Sequence, residues 1–135
     1  MAIGRVLTTA AVSAALVIGG STAAFAGTGG TTSTALSNGT LYFEAHNGSV
    51  VTGNSSLFYG ATKYTKTGGS KVTAYLKMST SEAVFTSPLK TVSAGQSISY
   101  SFGGQSIAKY APDCDAAGLM DASTGQYYTP NISFC

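Results

Sequence analysis

From Leu41 onward, apolar residues recur at every second position in short runs broken by Gly, Asn and Ser. That period belongs to strands, not to helices. It is clearest in residues 71–79, where Val72, Ala74, Leu76 and Met78 alternate with Lys71, Thr73, Tyr75 and Lys77. One face of such a strand is buried and the other is wet. With residues 57–66 before it and Thr67-Gly68-Gly69-Ser70 between, the segment reads as a β-hairpin. Similar runs lie at 41–45, 49–52, 83–86, 90–92, 96–102, 105–111, 127–128 and 132–135, while 113–118 reads as a loop or one helical turn. Gly103-Gly104 suits the positive φ angles of a tight turn between two of these runs. The chain is therefore expected to be all-β: a small antiparallel β-sandwich or barrel of about seven or eight short strands.

Residues 1–26 are read apart from that domain. Arg5 supplies a positive charge, residues 6–18 are apolar and uncharged, and Ala24-Phe25-Ala26 offers the small residues that signal peptidase needs. The apolar run is too short to cross a bilayer. A secretory signal peptide at 1–26 is expected, with secretion to the extracellular space and no membrane insertion after cleavage. Export gives Cys114 and Cys135, the chain's 2 cysteines, an oxidising compartment in which one disulfide is expected. The bridge would tie down the end of the sequence.

Residues 27–40 follow as a Gly/Thr/Ser leader without charge or aromatic side chains, and 41–135 form a single β domain. The leader holds too little apolar surface to anchor itself, so it is expected to be flexible. Its segment Thr31, Thr32, Ser33, Thr34, Ala35 and Leu36 is nevertheless β-prone, and could add as a strand to a partner's sheet on binding.

Composition argues against most catalysis. Only 9% of residues are charged, against about 25% in an average soluble domain. His46 is the 1 histidine, in an expected turn beside Asn47-Gly48, and no Gly-x-Ser-x-Gly elbow accompanies it. Glu44 and Glu82 stand alone, where a glycosidase needs two carboxylates facing one cleft. Asp113, Asp115 and Asp121 partly follow a calcium loop, but Ala117 stands where Asp or Asn belongs and Thr124 where a bidentate Glu belongs. An acidic surface loop is the stronger expectation there. No cofactor and no enzymatic activity are expected.

The charges are also segregated. Lys63, Lys66, Lys71, Lys77, Lys90 and Lys109 fall mid-chain and the aspartates near the end. Lys71, Tyr75 and Lys77 share a strand face and form a candidate ligand patch, since lysine beside aromatic rings suits glycans. Lysine on strands also protects edges from aggregation. Nucleic acid is not expected for an exported chain whose sole arginine, Arg5, leaves with the leader peptide.

The Ala-rich start ending Ala24-Phe25-Ala26, the Gly/Thr tail, and one domain bearing Cys114 and Cys135 resemble, in kind, the small secreted β proteins of filamentous Gram-positive bacteria. That group includes inhibitors of extracellular hydrolases, bacteriocins of the lactococcin type, and adaptor subunits of secreted antibacterial toxin particles. The resemblance implies a secreted non-enzymatic protein-interaction module, an adaptor subunit of an extracellular assembly whose N-terminal leader complements a partner's sheet. Two alternatives stay open: an inhibitor of a secreted hydrolase acting through a loop such as 67–70, or a free-standing antimicrobial or glycan-binding protein. Inhibitors of this kind usually carry two disulfides, and lactococcin-like peptides carry tryptophan, which this chain lacks.

Overall fold

Burial alternates residue by residue along β2 (Gly39–Asn47): Leu41, Phe43 and Ala45 are wholly buried, and Thr40, Tyr42, Glu44 and His46 face outward. The same rule governs β4 (Val72–Thr80), where Ala74, Leu76 and Met78 are buried and Thr73 and Tyr75 are exposed. Two sheets, each wet on one face, must therefore meet across their apolar faces. The computed structural model shows this antiparallel sandwich for residues 27–135; the expected signal peptide at 1–26 lies outside the described residues.

The first sheet has the order β1-β2-β3-β7, with β1 at Gly29–Leu36, β3 at Leu57–Lys66 and β7 at Ser97–Ser106. In the second, β4 pairs with β8 (Asp115–Ala122). The far side of β4 is shared by β5 (Val84–Thr86) and β6 (Lys90–Val92), and the far side of β8 by β9 (Gly125–Tyr128) and β10 (Ile132–Ser133). A short helix, α1 (Ile107–Tyr110), follows β7.

The two shared edges are splinted in the same way. Between β5 and β6, Ser87 accepts from the Leu76 amide and donates its own amide to the Leu76 carbonyl. Between β9 and β10, Thr129 does the same for Gly118 on β8. Each is followed by proline, which lacks an N–H and ends the pairing.

The core holds Phe43, Phe58, Leu76, Met78, Met120 and Phe134, all at least 98% buried. Phe134 stacks on Phe58 with ring centroids 4.7 Å apart, and its carbonyl accepts from Asn47 Nδ2 at 3.0 Å. The Cys114–Cys135 disulfide closes beside this stack, with Cα atoms 5.5 Å apart. Where β8 crosses β2 the sheets approach closely: a Cβ on Gly118 would lie 2.6 Å from Cβ of Phe43.

Two expected hairpins fail for one reason, that alternation shows which face of a strand is buried but not which strand it pairs with, and two element assignments differ as well. The expected hairpin of residues 57–66 and 71–79 does not exist. β3 pairs with β2 and β7 while β4 pairs with β5, β6 and β8, so loop 67–71 carries the chain from one sheet to the other. Gly103-Gly104 makes no hairpin either. β7 continues through it as one bulged strand with Gly103 at φ 74°, opposite a register shift between Tyr59 and Ala61. Residues 49–52 form no strand, since Gly48–Val50 is a 3₁₀ turn with Asn47 Oδ1 accepting from the Ser49 amide. Most of the loop expected at 113–118 belongs to β8.

The flexible leader is corrected in the same way. Gly29 to Leu36 pair residue for residue with β2, from Gly29 opposite His46 to Leu36 opposite Gly39. Leu36 packs against the core, and the backbone ladder with β2 holds the rest of the segment. The inward hydroxyls of Thr32 and Thr34 also donate to the Pro130 and Tyr128 carbonyls at 3.0 and 2.7 Å.

Candidate functional site

Exposed strand edges are templates for further pairing, and proteins usually blunt them. The second sheet does so on both sides, with edge strands of two to four residues interrupted at Ser87-Pro88 and Thr129-Pro130. β7 is bent by its bulge and runs into α1. β1 has no such device. Its eight residues, Gly-Gly-Thr-Thr-Ser-Thr-Ala-Leu, carry no charge and no proline, and its register with β2 is unbroken. Among the described residues its backbone has no partner on the side away from β2. Thr31, Thr32, Ser33, Thr34, Ala35 and Leu36 thus form an edge of unbroken register in which Ser33 and Ala35 are exposed and the other four are half-buried.

The outer face of the second sheet carries part of the expected ligand patch. Tyr75 lies opposite Asp121, and Lys77, opposite Leu119, reaches diagonally to Asp121 at 3.6 Å. Lys71 does not join them; it lines a cleft at one end of the sandwich. The face gains a residue that alternation alone did not single out. Tyr128 on β9 stands opposite Leu119 and is 56% exposed. Two strand spacings and a two-residue offset place Tyr75 and Tyr128 about 12 Å apart, with Asp121 and Leu119 on either side of the line between them and Gln126 beside Tyr128.

Other lysines are occupied by rings. Lys63 lies 5.5 Å from the centre of Tyr42, Lys90 5.5 Å from Tyr100, and Lys109 5.1 Å from Tyr110. The mid-chain excess of positive charge is therefore dispersed as separate cation–π pairs.

The three aspartates do not converge. Asp115 and Asp121 sit six residues apart on one extended strand, about 20 Å at 3.3 Å per residue, and Asp121 is engaged by Lys77. No single cation can touch both. Among the described residues, no group of three or more His, Cys, Asp or Glu is placed to hold a metal.

His46 lies in β2 rather than in the expected turn, and its Nε2 meets Glu44 Oε2 at 2.8 Å, both side chains being largely buried. Residues two apart on a strand share a face, so period two alone could have paired them. The arrangement is a base with an orienting carboxylate. The second carboxylate oxygen of Glu44 is buried without a hydrogen bond.

The end cleft, about 520 Å³ in volume, lies between the β1–β2 turn, the end of β3, loop 69–71 and the β8–β9 turn. Lys66 belongs to the buried phase of β3 with Phe58, Thr62 and Tyr64, and is 98% buried. It opposes Gly39, whose missing side chain leaves room beside the Tyr64 ring. Tyr64 donates to the Asn38 carbonyl at 3.2 Å. Burial holds its phenol above the ordinary tyrosine value of 10.0, and nearby Tyr127 pushes in the same direction. A lysine in the buried phase of a strand was the sequence signal for this cleft.

The chain matches no family model, no curated protein and no solved structure.

Proposed function

We propose that the chain is a secreted, non-catalytic protein-interaction module, an adaptor subunit of an extracellular assembly, that captures its partner by strand addition along β1. The observation that carries this reading is the contrast among the sheet edges: three are short, interrupted or bulged, and β1 is eight residues long, uncharged and unbroken in register. A partner strand laid against it would satisfy the unpaired backbone groups, and side chains of alternate residues would set specificity. This reading replaces a leader that orders on binding with an edge that is ordered beforehand, so less conformational entropy is lost at capture. The Cys114–Cys135 disulfide suits the extracellular setting.

The test is capture from the producer's own culture medium by the tagged protein and by the double variant S33K/A35K. Both substitutions fall on exposed positions, and lysine there protects the edge. The account predicts a partner retained by the wild type and lost by the variant at unchanged melting temperature. Equal capture by both would contradict it.

A second reading rests on Tyr75 and Tyr128, two exposed rings on one flat face with Asp121 and Gln126 nearby. Such a platform suits stacking against sugar rings. It predicts retention on insoluble polysaccharide that falls sharply in Y75A and Y128A, whereas variants that bind as the wild type does would exclude it.

A further inference from the structure

Lys66 is the most unusual charge in the molecule. It is 98% buried, and among the described residues the ion pairs are His46–Glu44 and Lys77–Asp121, neither of which involves it. The burial is mostly that of its alkyl stem, and the ammonium at its tip has no counter-charge among the described residues. The Lys66 amine lines the end cleft, where Gly69 packs directly against Asn38. A Cβ on Gly69 would lie 2.7 Å from Asn38 Nδ2 and 3.2 Å from Lys66 Nζ, so the two donors flank Gly69 closely enough for one carboxylate to bridge them. Lys71 stands in the same wall, and no aspartate or glutamate lines the cleft. The opposite wall is apolar, with Leu36, Val72 and Met120, and Tyr64 and Tyr127 complete it.

We infer that this cleft binds a carboxylate-bearing ligand about the size of one amino-acid or sugar residue. The carboxylate takes hydrogen bonds from Lys66 Nζ and Asn38 Nδ2 beside Gly69, and the rest of the ligand lies against the apolar and tyrosine walls. The ammonium of Lys66 and the amide of Asn38 match the two oxygens of one carboxylate, and Lys71 adds a second positive charge to the cleft. The volume falls within the usual range for small-ligand sites, roughly 300–1,000 Å³. The carboxylate could come from a peptide C-terminus or from an acidic sugar. The site is separate from the exposed positions 33 and 35 of β1, so its occupancy can be tested independently of partner capture.

The test is titration of the isotope-labelled protein, followed by amide NMR, with N-acetyl-leucine, glucuronate, N-acetyl-leucinamide and inorganic phosphate. One of the two carboxylates should shift the amides of Asn38, Lys66, Gly69 and Lys71 saturably, and which one does so names the source. The uncharged amide should leave them in place. K66M should weaken binding by about tenfold or more while keeping the wild-type amide spectrum away from the cleft, because the methionine stem fills the space of the lysine stem. N38A, at an exposed turn, gives the same reading should K66M fail to fold. S33K/A35K should bind the carboxylate as the wild type does. Silence with both carboxylates, equal response to the uncharged amide, preference for phosphate, or undiminished binding by K66M or N38A would overturn the assignment.

Discussion

The Ser87 hydroxyl accepts the Leu76 amide at 3.0 Å, while the Ser87 amide donates to the Leu76 carbonyl at 2.8 Å. One side chain thus fills the gap in the ladder where the edge of β4 passes from β5 to β6. Removing it leaves a buried N–H without a partner, which costs about 1–3 kcal/mol. Ser87→Ala should lower stability by that amount in urea unfolding, and Thr129→Val, which strands the Gly118 amide, should do the same on β8. Ser87→Ala at wild-type stability would show that water replaces the hydroxyl freely.

The disulfide fastens the segment that delivers Phe134 to Phe58. With the cysteines 21 positions apart, loop entropy assigns the bridge about 3 kcal/mol. Unfolding of the reduced protein, or of C114S/C135S, should show a loss of that order, with the Phe134 amide among the first to exchange. Identical unfolding curves with and without reductant would contradict this.

Gly118 allows β8 to pass against Phe43. An added methyl would sit 2.6 Å from Cβ of Phe43, an atom fixed to the backbone that cannot swing aside. Gly118→Ala should destabilise by about 1–3 kcal/mol through overpacking, measured by thermal unfolding. Full stability would mean that the sheets separate more easily than this packing implies.

Because burial, reinforced by Tyr127, raises the Tyr64 phenol above 10.0, the unfolded chain releases that proton first as the pH climbs. The stability from neutral Tyr64 is complete below the unfolded value and is lost as pH rises from there through the folded value. Urea midpoints should therefore fall more steeply above pH 10 in the wild type than in Tyr64→Phe. At neutral pH the variant should lose about 0.5–1.5 kcal/mol with the hydrogen bond to the Asn38 carbonyl. Parallel pH profiles would remove Tyr64 as the source.

Much of the fold was legible in strand period alone. The buried set Ala74, Leu76 and Met78 and the outward set Thr73 and Tyr75 follow directly from alternation. Pairing was not legible, because a strand shows the same pattern whether it pairs with its neighbour in sequence or faces it across a core. That is why β3 and β4 read as a hairpin but occupy opposite sheets. The leader was misjudged by weighing its scarce apolar area and neglecting the ladder that threonine-rich backbone can form with β2. The end cleft was written in the phase of Lys66, but only the turns that bring Asn38 and Gly69 beside it make that phase a site.

Amide hydrogen exchange across β1, with and without the captured partner, tests the central claim most directly. The account predicts that amides of β1 pointing away from β2 exchange quickly in the free protein and become strongly protected in the complex, with β5, β6, β9 and β10 little changed. Protection confined to the face bearing Tyr75 and Tyr128, with the β1 edge still exchanging quickly in the complex, would contradict it.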